Sequence, residues 1–147
     1  MSGNWNIRIV TDWDEIYSRK FQEKWLSWAE NEVNSHVFFH PVLCMAWLDT
    51  YRPLRMLEPL FCIAENEVGT LFLPLVLWHR NWQNAFQRLI VPVGYSDFDY
   101  HEPCCVSAHD KLDWEDALSC ILKRLSEAFS FDLLEINGFL TKLAGDG

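Results

Sequence analysis

Basic residues are scarce in this 147-residue chain, in which 12 Lys and Arg are outnumbered by 21 Asp and Glu, for a net charge of -9 at pH 7. Nucleic-acid-binding proteins neutralise phosphates with Lys and Arg, and anionic membranes attract the same side chains. The charge balance therefore argues against both kinds of partner. We expect neither nucleic acid nor a membrane surface to bind this protein.

Long apolar runs and a disulfide pattern are missing as well. The longest apolar run, Leu71 to Trp78, is far shorter than the roughly 20 residues that a membrane-spanning helix needs. The first five residues lack the basic-then-apolar order of a signal peptide. The five cysteines are odd in number and include no CxxC, which predicts a reduced, cytoplasmic compartment.

Apolar and aromatic residues are abundant, since half of the chain is hydrophobic, 15% is aromatic and eight residues are Trp. This composition excludes a disordered chain and, at this length, predicts one domain with its own core. So many large rings also favour an apolar surface that faces a partner or ligand.

The first third of the chain predicts a strand followed by helices. Trp5 to Val10 has the alternation of a strand, and Thr11 with Asp14 has the spacing of a helix-capping box. Five aromatic residues then follow at helical spacing and predict one continuous apolar face: Trp13, Tyr17, Phe21, Trp25 and Trp28. Packing of this face on a sheet is the expected role, and an aromatic platform for a ligand is the alternative.

The rest of the chain predicts a second helix, a block of strands, a third helix and a last strand. Pro41 suits the first turn of a helix, and Val42 to Leu48 is apolar all round, so we expect this helix to be buried on more than one side. Strands are predicted at Leu60–Ala64, Thr70–Trp78 with a bulge at Pro74, Arg88–Val93 and Phe131–Ile136, with a hairpin at Glu65–Gly69 and a helix reaching about Phe129. The order indicates the α/β (α+β) class.

The stretch from Val93 to Cys105 concentrates polar and reactive side chains after the last strand of the central block. Asp97, Asp99 and His101 alternate, so an extended backbone would direct all three toward one cation. The adjacent cysteines with His101 could form a thiolate–imidazole pair. A solvated acidic loop that closes the fold, with structural cysteines, is the alternative to both.

This order of elements resembles the GNAT (N-acetyltransferase-like) fold, and the local sequence resembles the first lobe of FemAB-like and CelD-like acyltransferases. The resemblance covers about Trp13 to Phe139. It is carried by Val37-Phe38-Phe39-His40-Pro41 with Trp47, by Phe72-Leu73-Pro74-Leu75, by Gly94-Tyr95-Ser96-Asp97-Phe98-Asp99-Tyr100 with Pro103, and by Asp132-Leu133-Leu134-Glu135-Ile136.

The resemblance implies a mainly antiparallel mixed sheet with helices on both faces, in a single domain over residues 1–139 followed by a tail at 140–147. It implies a lone or degenerate acyltransferase-like lobe that recognises an amine-bearing acceptor. Asp99 and Glu102 become the candidate general bases, because the attacking amine must lose a proton. The implied acceptor-binding residues are Tyr95, Ser96, Asp97, Tyr100 and His101.

The chain departs from the family in two respects. Relatives of this kind usually have two lobes, and GNAT enzymes carry an Arg/Gln-x-x-Gly-x-Gly/Ala turn that holds the pyrophosphate of acetyl-CoA. Because this chain lacks that turn, we expect no cofactor within it, and acetyl-CoA or another acyl donor only if a second lobe exists. The alternative is a non-enzymatic module that binds a small molecule or protein as a homodimer, since self-association would cover an apolar face.

Overall fold

The computed structural model describes residues 5–31, 40–67, 69–82, 85–94, 104–106, 111–129, 131 and 133–134. These residues form β1 (Asn6–Val10), α1 (Trp13–Ile16), α2 (Arg19–Glu30), α3 (Pro41–Tyr51), β2 (Met56–Glu65), β3 (Thr70–Trp82), β4 (Ala85–Pro92), β5 (Cys104–Val106), α4 (Lys111–Ala128) and β6 (Leu133–Leu134). The predicted mixed α/β class is confirmed. The predicted domain end at residue 139 and the tail lie outside the described residues.

All six of these strands lie in one sheet with the order β1-β2-β3-β4-β6, and β5 also pairs with β3. Strands β1 to β4 are antiparallel neighbours, whereas β6 is parallel to β4, with Leu89 opposite Leu133. A parallel pair needs a crossover connection, and α4 lies in the segment between β4 and β6. The sheet is therefore mainly antiparallel, with one parallel pair at its end.

Helices cover both faces of the sheet. On one face, rings from α2 contact Phe61 of β2 and Phe72 of β3. Side chains alternate along a strand, so Leu60, Cys62 and Leu73 point to the other face, where they are also buried. Helix α4 lies against β1, β2 and β3 and contributes the buried side chains Ala117, Leu118, Ile121 and Leu125.

An aromatic cluster forms the centre of the core. Trp25 lies edge-on to both Phe61 and Phe72, with ring centroids 5.4 Å apart in each case. Phe21 and Trp28 complete the cluster, and the Trp28–Phe72 centroid distance is 4.9 Å. Because these rings are buried, the packing role predicted for the α2 face is confirmed, and the ligand-platform alternative does not hold for the three aromatic rings of α2.

The single helix predicted after β1 is wrong, because the chain forms two helices. Ser18 interrupts the periodic pattern with an extended backbone, and its hydroxyl accepts a hydrogen bond from the Phe21 N–H at 3.2 Å. A serine that caps a new helix competes with continuation of the old one. Tyr17 consequently becomes 38% exposed, and Ile16 is buried instead.

The caps of the other helices follow simple chemistry. Asp12, rather than the predicted Thr11, caps α1 by accepting from the N–H of Asp14 at 2.9 Å. Helix α3 begins at Pro41 as predicted, and the Nδ1 atom of His40 accepts from the second amide of the helix at 3.2 Å. The histidine is therefore a capping residue.

The prediction that α3 is buried on more than one side is wrong. Cys44, Trp47 and Leu48 are buried, but Val42 is 69% exposed and Leu43 also faces solvent. The buried positions are spaced by three and one, which is a single face of a helix. Composition alone could not identify that face, because every residue from 42 to 48 is apolar.

The central hairpin is confirmed, although its strands are longer than predicted. The Asn66 N–H donates to the Gly69 carbonyl at 3.1 Å, and the Gly69 N–H donates back to the Asn66 side chain at 3.2 Å. Helix α4 matches the predicted segment closely, and β6 lies within the predicted last strand. Strand β4 begins at Ala85, three residues earlier than predicted, and β5 forms at the end of a stretch predicted as a loop.

The predicted bulge at Pro74 is wrong, because the β2–β3 register runs continuously through Phe61↔Pro74. On its other edge, β3 pairs with β4 from Leu75 onward and with β5 only up to Phe72. The Pro74 carbonyl accepts from the Val93 N–H at 3.0 Å, so the position of its missing N–H faces this same edge. Proline is tolerated here because no ladder bond from it is needed between β4 and β5.

We predict that Phe61→Ala lowers the free energy of unfolding by about 3–5 kcal/mol, because it leaves a cavity among rings that cannot collapse. Phe86→Ala removes the same side chain from a position that is 81% exposed, and we expect a change within about 0.5 kcal/mol. Urea unfolding of the two variants measures both values. Equal losses would contradict the central position of the aromatic cluster.

Candidate functional site

The pairing between β3 and β4 stops at the carboxyl end of β4. The Val93 N–H holds the chain to Pro74, and Gly94 then turns with a φ of 88°. The chain pairs with β3 again at Cys104, opposite Phe72. The two attachment points on β3 are two residues apart, which is about 7 Å of strand. Val93 and Cys104, which flank residues 94–103, are therefore attached at neighbouring positions of β3.

The same edge carries the carboxyl ends of the parallel strands β4 and β6. In open sheets with parallel strands, ligands bind beyond the carboxyl ends, at a point where the chain connections diverge. Here β3 exchanges one neighbour, β4, for another, β5. Gly94, the last described residue directly after β4, therefore lies at a place in the sheet where ligand binding is favoured.

The side chains that the sequence assigns to this site lie in residues 95–103, outside the described residues. This holds for the candidate bases Asp99 and Glu102, for the acceptor-binding set Tyr95, Ser96, Asp97, Tyr100 and His101, and for the Asp97–Asp99–His101 metal hypothesis. The backbone of Cys104 and Cys105 forms β5, but the pairing of either thiol with His101 is not tested. These assignments stay predictions.

The cysteine thiols with described surroundings are not suited to catalysis. Burial raises the pKa of the Cys44 and Cys62 thiols. Burial and then the nearby Asp116 carboxylate raise the pKa of Cys120, against a smaller lowering by Lys123. Neutral thiols are poor nucleophiles and poor metal ligands. Among the residues with described positions, no group of three His, Cys, Asp or Glu side chains could hold a metal ion.

A second feature, which the sequence did not reveal, lies at the opposite end of β3. Arg52 and Arg55 follow the end of α3, and both line a cleft of about 550 Å³. His79 is also in this cleft, where it pairs with Glu58. In the sequence, this site is marked only by two arginines three residues apart after a helix that ends in a tyrosine. This spacing alone does not predict a site, because Trp78 reaches Arg55 only through the pairing of β2 with β3.

None of the helices in the described ranges is long and apolar enough to cross a membrane. Comparison of the chain with protein-family models, with curated proteins and with solved structures finds no match. Functional inference therefore depends on the order of elements and on the chemistry of the two ends of the sheet.

We predict that Gly94→Ala destabilises the protein by about 1–2 kcal/mol, because a side chain disfavours positive φ and Gly94 is buried. Gly94→Asn is the matched variant, since Asn adopts positive φ more readily than other residues with a side chain. In thermal unfolding, the melting temperature of the Asn variant should lie closer to that of the wild type than the melting temperature of the Ala variant does. An Ala variant as stable as the wild type would contradict the need for glycine at this turn.

We predict that stability falls as the pH rises above about 8.5, where the thiols of the unfolded chain ionise. The folded thiols of Cys44 and Cys62 have raised pKa values and keep their protons, so the unfolded state binds fewer protons. Each thiol then lowers the free energy of unfolding by about 1.4 kcal/mol per pH unit.

The measurement is urea unfolding between pH 7.5 and 9.5. The Cys44→Ala/Cys62→Ala double variant should show a shallower loss with pH, whatever its absolute stability. A slope identical to that of the wild type would contradict the prediction.

Proposed function

We propose that this chain is an acyltransferase-like lobe of the GNAT/FemAB type, which recognises an amine-bearing acceptor at the carboxyl end of β4. The observation that carries the proposal is the order of elements. An antiparallel block of β1 to β4, with helices between β1 and β2, is followed by α4 and by a strand parallel to β4. Apart from the short strand β5 between β4 and α4, this order agrees with the one that the family resemblance implies.

The chemistry of the proposed site suits a cationic acceptor. The segment attached at Gly94 contains Asp97, Asp99 and Glu102 and no Lys or Arg. Carboxylates attract a protonated amine and repel phosphates, so the acceptor would bind here and the phosphates of an acyl-CoA would not. The sequence also lacks a pyrophosphate-binding turn, which agrees with binding of the acyl-CoA phosphates outside this segment.

Acyl transfer needs the reactants to be positioned, a base, and hydrogen-bond donors for the developing oxyanion. The free amine attacks the carbonyl carbon of a thioester, a C–N bond forms, and the C–S bond breaks. The amine proton passes to a base, for which Asp99 and Glu102 are the candidates, and the departing thiolate takes up a proton. A second lobe would supply the thioester.

Exposed apolar side chains favour a second candidate function, a homodimeric binding module. Val42, Leu54, Met56 and Phe86 are each at least 69% exposed. Large apolar side chains at the surface are a feature of association sites when they are contiguous. A homodimer that covers them would need no acyl donor.

We predict that lysine amide raises the melting temperature by about 3–6 °C at a concentration tenfold above its Kd. Nε-acetyl-lysine amide, which lacks the side-chain amine, should give a smaller shift. Asp97→Asn with Asp99→Asn should remove the difference between the two compounds, whereas Glu23→Gln, on the exposed surface of α2, should leave it unchanged.

Acetyl-CoA at millimolar concentration should give no shift with this chain alone, and a shift would overturn the prediction that the donor is held elsewhere. Equal shifts with the two lysine compounds would contradict amine recognition. The binding module would be favoured if gel filtration gives a dimer mass, Phe86→Glu converts the dimer to a monomer, and lysine amide does not change the melting temperature.

A further inference from the structure

We propose that this protein has a second ligand site, separate from the segment at Gly94, which binds a small organic anion through Arg52 and Arg55. The site is the cleft of about 550 Å³ between the end of α3 and the start of β2, which we call the arginine cleft. Its lining residues are Arg52, Arg55, Met56, Leu57, Glu58 and His79.

The backbone turn after α3 brings the two arginines to one cleft. Helix α3 ends at Tyr51, and the N–H groups of Leu54 and Arg55 both donate to the Tyr51 carbonyl, at 3.0 and 2.8 Å. The chain then enters β2 at Met56. Arg52 and Arg55 are therefore held on either side of a tight turn rather than on a loose loop.

Aromatic rings hold the Arg55 guanidinium in place. Its central carbon lies 4.2 Å from the ring centroid of Tyr51, 4.6 Å from that of Trp78 and 5.9 Å from that of Trp47. Such contacts engage the flat faces of a guanidinium. The N–H donors of a guanidinium point outward in its plane, so contacts with its faces do not use up the donors themselves.

Arg52 is held in the same way on the other side of the turn. Its guanidinium carbon lies 4.1 Å from the ring centroid of Trp13 and 5.1 Å from that of Tyr17. The nearby Asp49 carboxylate accepts from the Tyr17 hydroxyl at 3.2 Å. Two preorganised cations thus line one cleft in a protein whose net charge is -9.

Neither guanidinium has a hydrogen-bond or ion-pair partner within the described part of the chain, and the Nη1 atom of Arg55 is buried without one. By contrast, Arg8 pairs with Glu15. Glu58 also lines the cleft, where its carboxylate contacts His79 and forms an ion pair with neither arginine. A buried donor without an acceptor costs about 1–3 kcal/mol, more when charged, which argues for an acceptor that the described residues do not supply.

A purely structural role explains only part of this arrangement. Cations are favourable beyond the carboxyl end of a helix, where the dipole is negative, and both arginines lie just beyond α3. That effect accounts for the positive charge at this position. It does not account for a charged donor that is buried with no acceptor, or for an open cleft beside it.

The lining of the cleft defines the class of ligand. Arginine binds carboxylate and phosphate groups through paired N–H donors. Met56 and Leu57 add an apolar wall, and Met56 is 72% exposed. The volume is in the range of sites for small organic molecules. The arginine cleft therefore fits a compound with one carboxylate or phosphate group on an apolar body.

The arginine cleft and the opening at Gly94 are distinct places in the fold. His79 marks the cleft on β3, and Pro74 marks the opening, five residues away along the strand. At the rise of a β-strand this separation is about 17 Å. Binding in the cleft consequently does not depend on the function proposed for the carboxyl end of β4.

The test is isothermal titration with benzoate, phenyl phosphate and the uncharged benzamide. We expect one or both anions to bind and benzamide to bind at least tenfold more weakly. Binding of benzoate alone would assign a carboxylate ligand, and binding of phenyl phosphate alone a phosphate ligand. Absence of binding by both anions at 10 mM, or equal binding of benzamide, would overturn the proposal.

Substitutions locate the bound anion. Arg55→Met keeps an unbranched apolar stem but removes the guanidinium group and its charge, and it should weaken binding at least tenfold. Arg80→Met is the matched control, because Arg80 also lies over Trp78, at 5.3 Å, but does not line the cleft; its effect should be below twofold. If Arg55→Met fails to fold, Arg52→Met replaces it. Unchanged affinity in a folded cleft variant would overturn the assignment.

Discussion

The fold depends on the contact between α2 and the two central strands. Phe61 and Phe72 lie on neighbouring strands with ring centroids 5.9 Å apart, and Trp25 packs edge-on against both. One helix thereby fixes the relative position of β2 and β3. Since β3 also carries β4 and β5, this aromatic contact determines where the edge of the sheet lies and hence where the candidate site can form.

Pro74, which has no backbone N–H, lies where the neighbouring strand of β3 changes from β4 to β5. Pro74 lies between the part of β3 that pairs with β4 and the part that pairs with β5, and its carbonyl holds Val93 just before the chain turns at Gly94. A residue with a backbone donor at this position could extend the ladder. Proline favours an opening there, and the polar segment predicted to recognise an acceptor is attached at that opening.

The two proposed sites differ in charge: the sequence of residues 95–103 contains three carboxylates, whereas two arginines line the arginine cleft. The acidic segment attached at Gly94 suits a cation, whereas the arginine cleft suits an anion. The net charge of -9 is a sum over the whole chain and does not show how the charges are distributed between these two places. It argues against extended polyanions as partners, since these need a continuous basic surface, but it gives no information about a cleft in which two arginines are held on aromatic rings.

Periodicity, caps and turn residues in the sequence determined every strand except β5, the start of α3 at Pro41, the hairpin at Asn66 and the α/β class, because each depends on near neighbours. Tertiary structure decided what local patterns leave open. It decided which face of the all-apolar α3 is buried, and that Ser18 ends one helix and caps another. It decided that Pro74 lies in the gap between two partner strands. It also brought Trp78 beside Arg55, since the rings that position the guanidinium come from separate elements. Contacts between residues far apart in sequence carry no local signal, and the arginine cleft is made of such contacts.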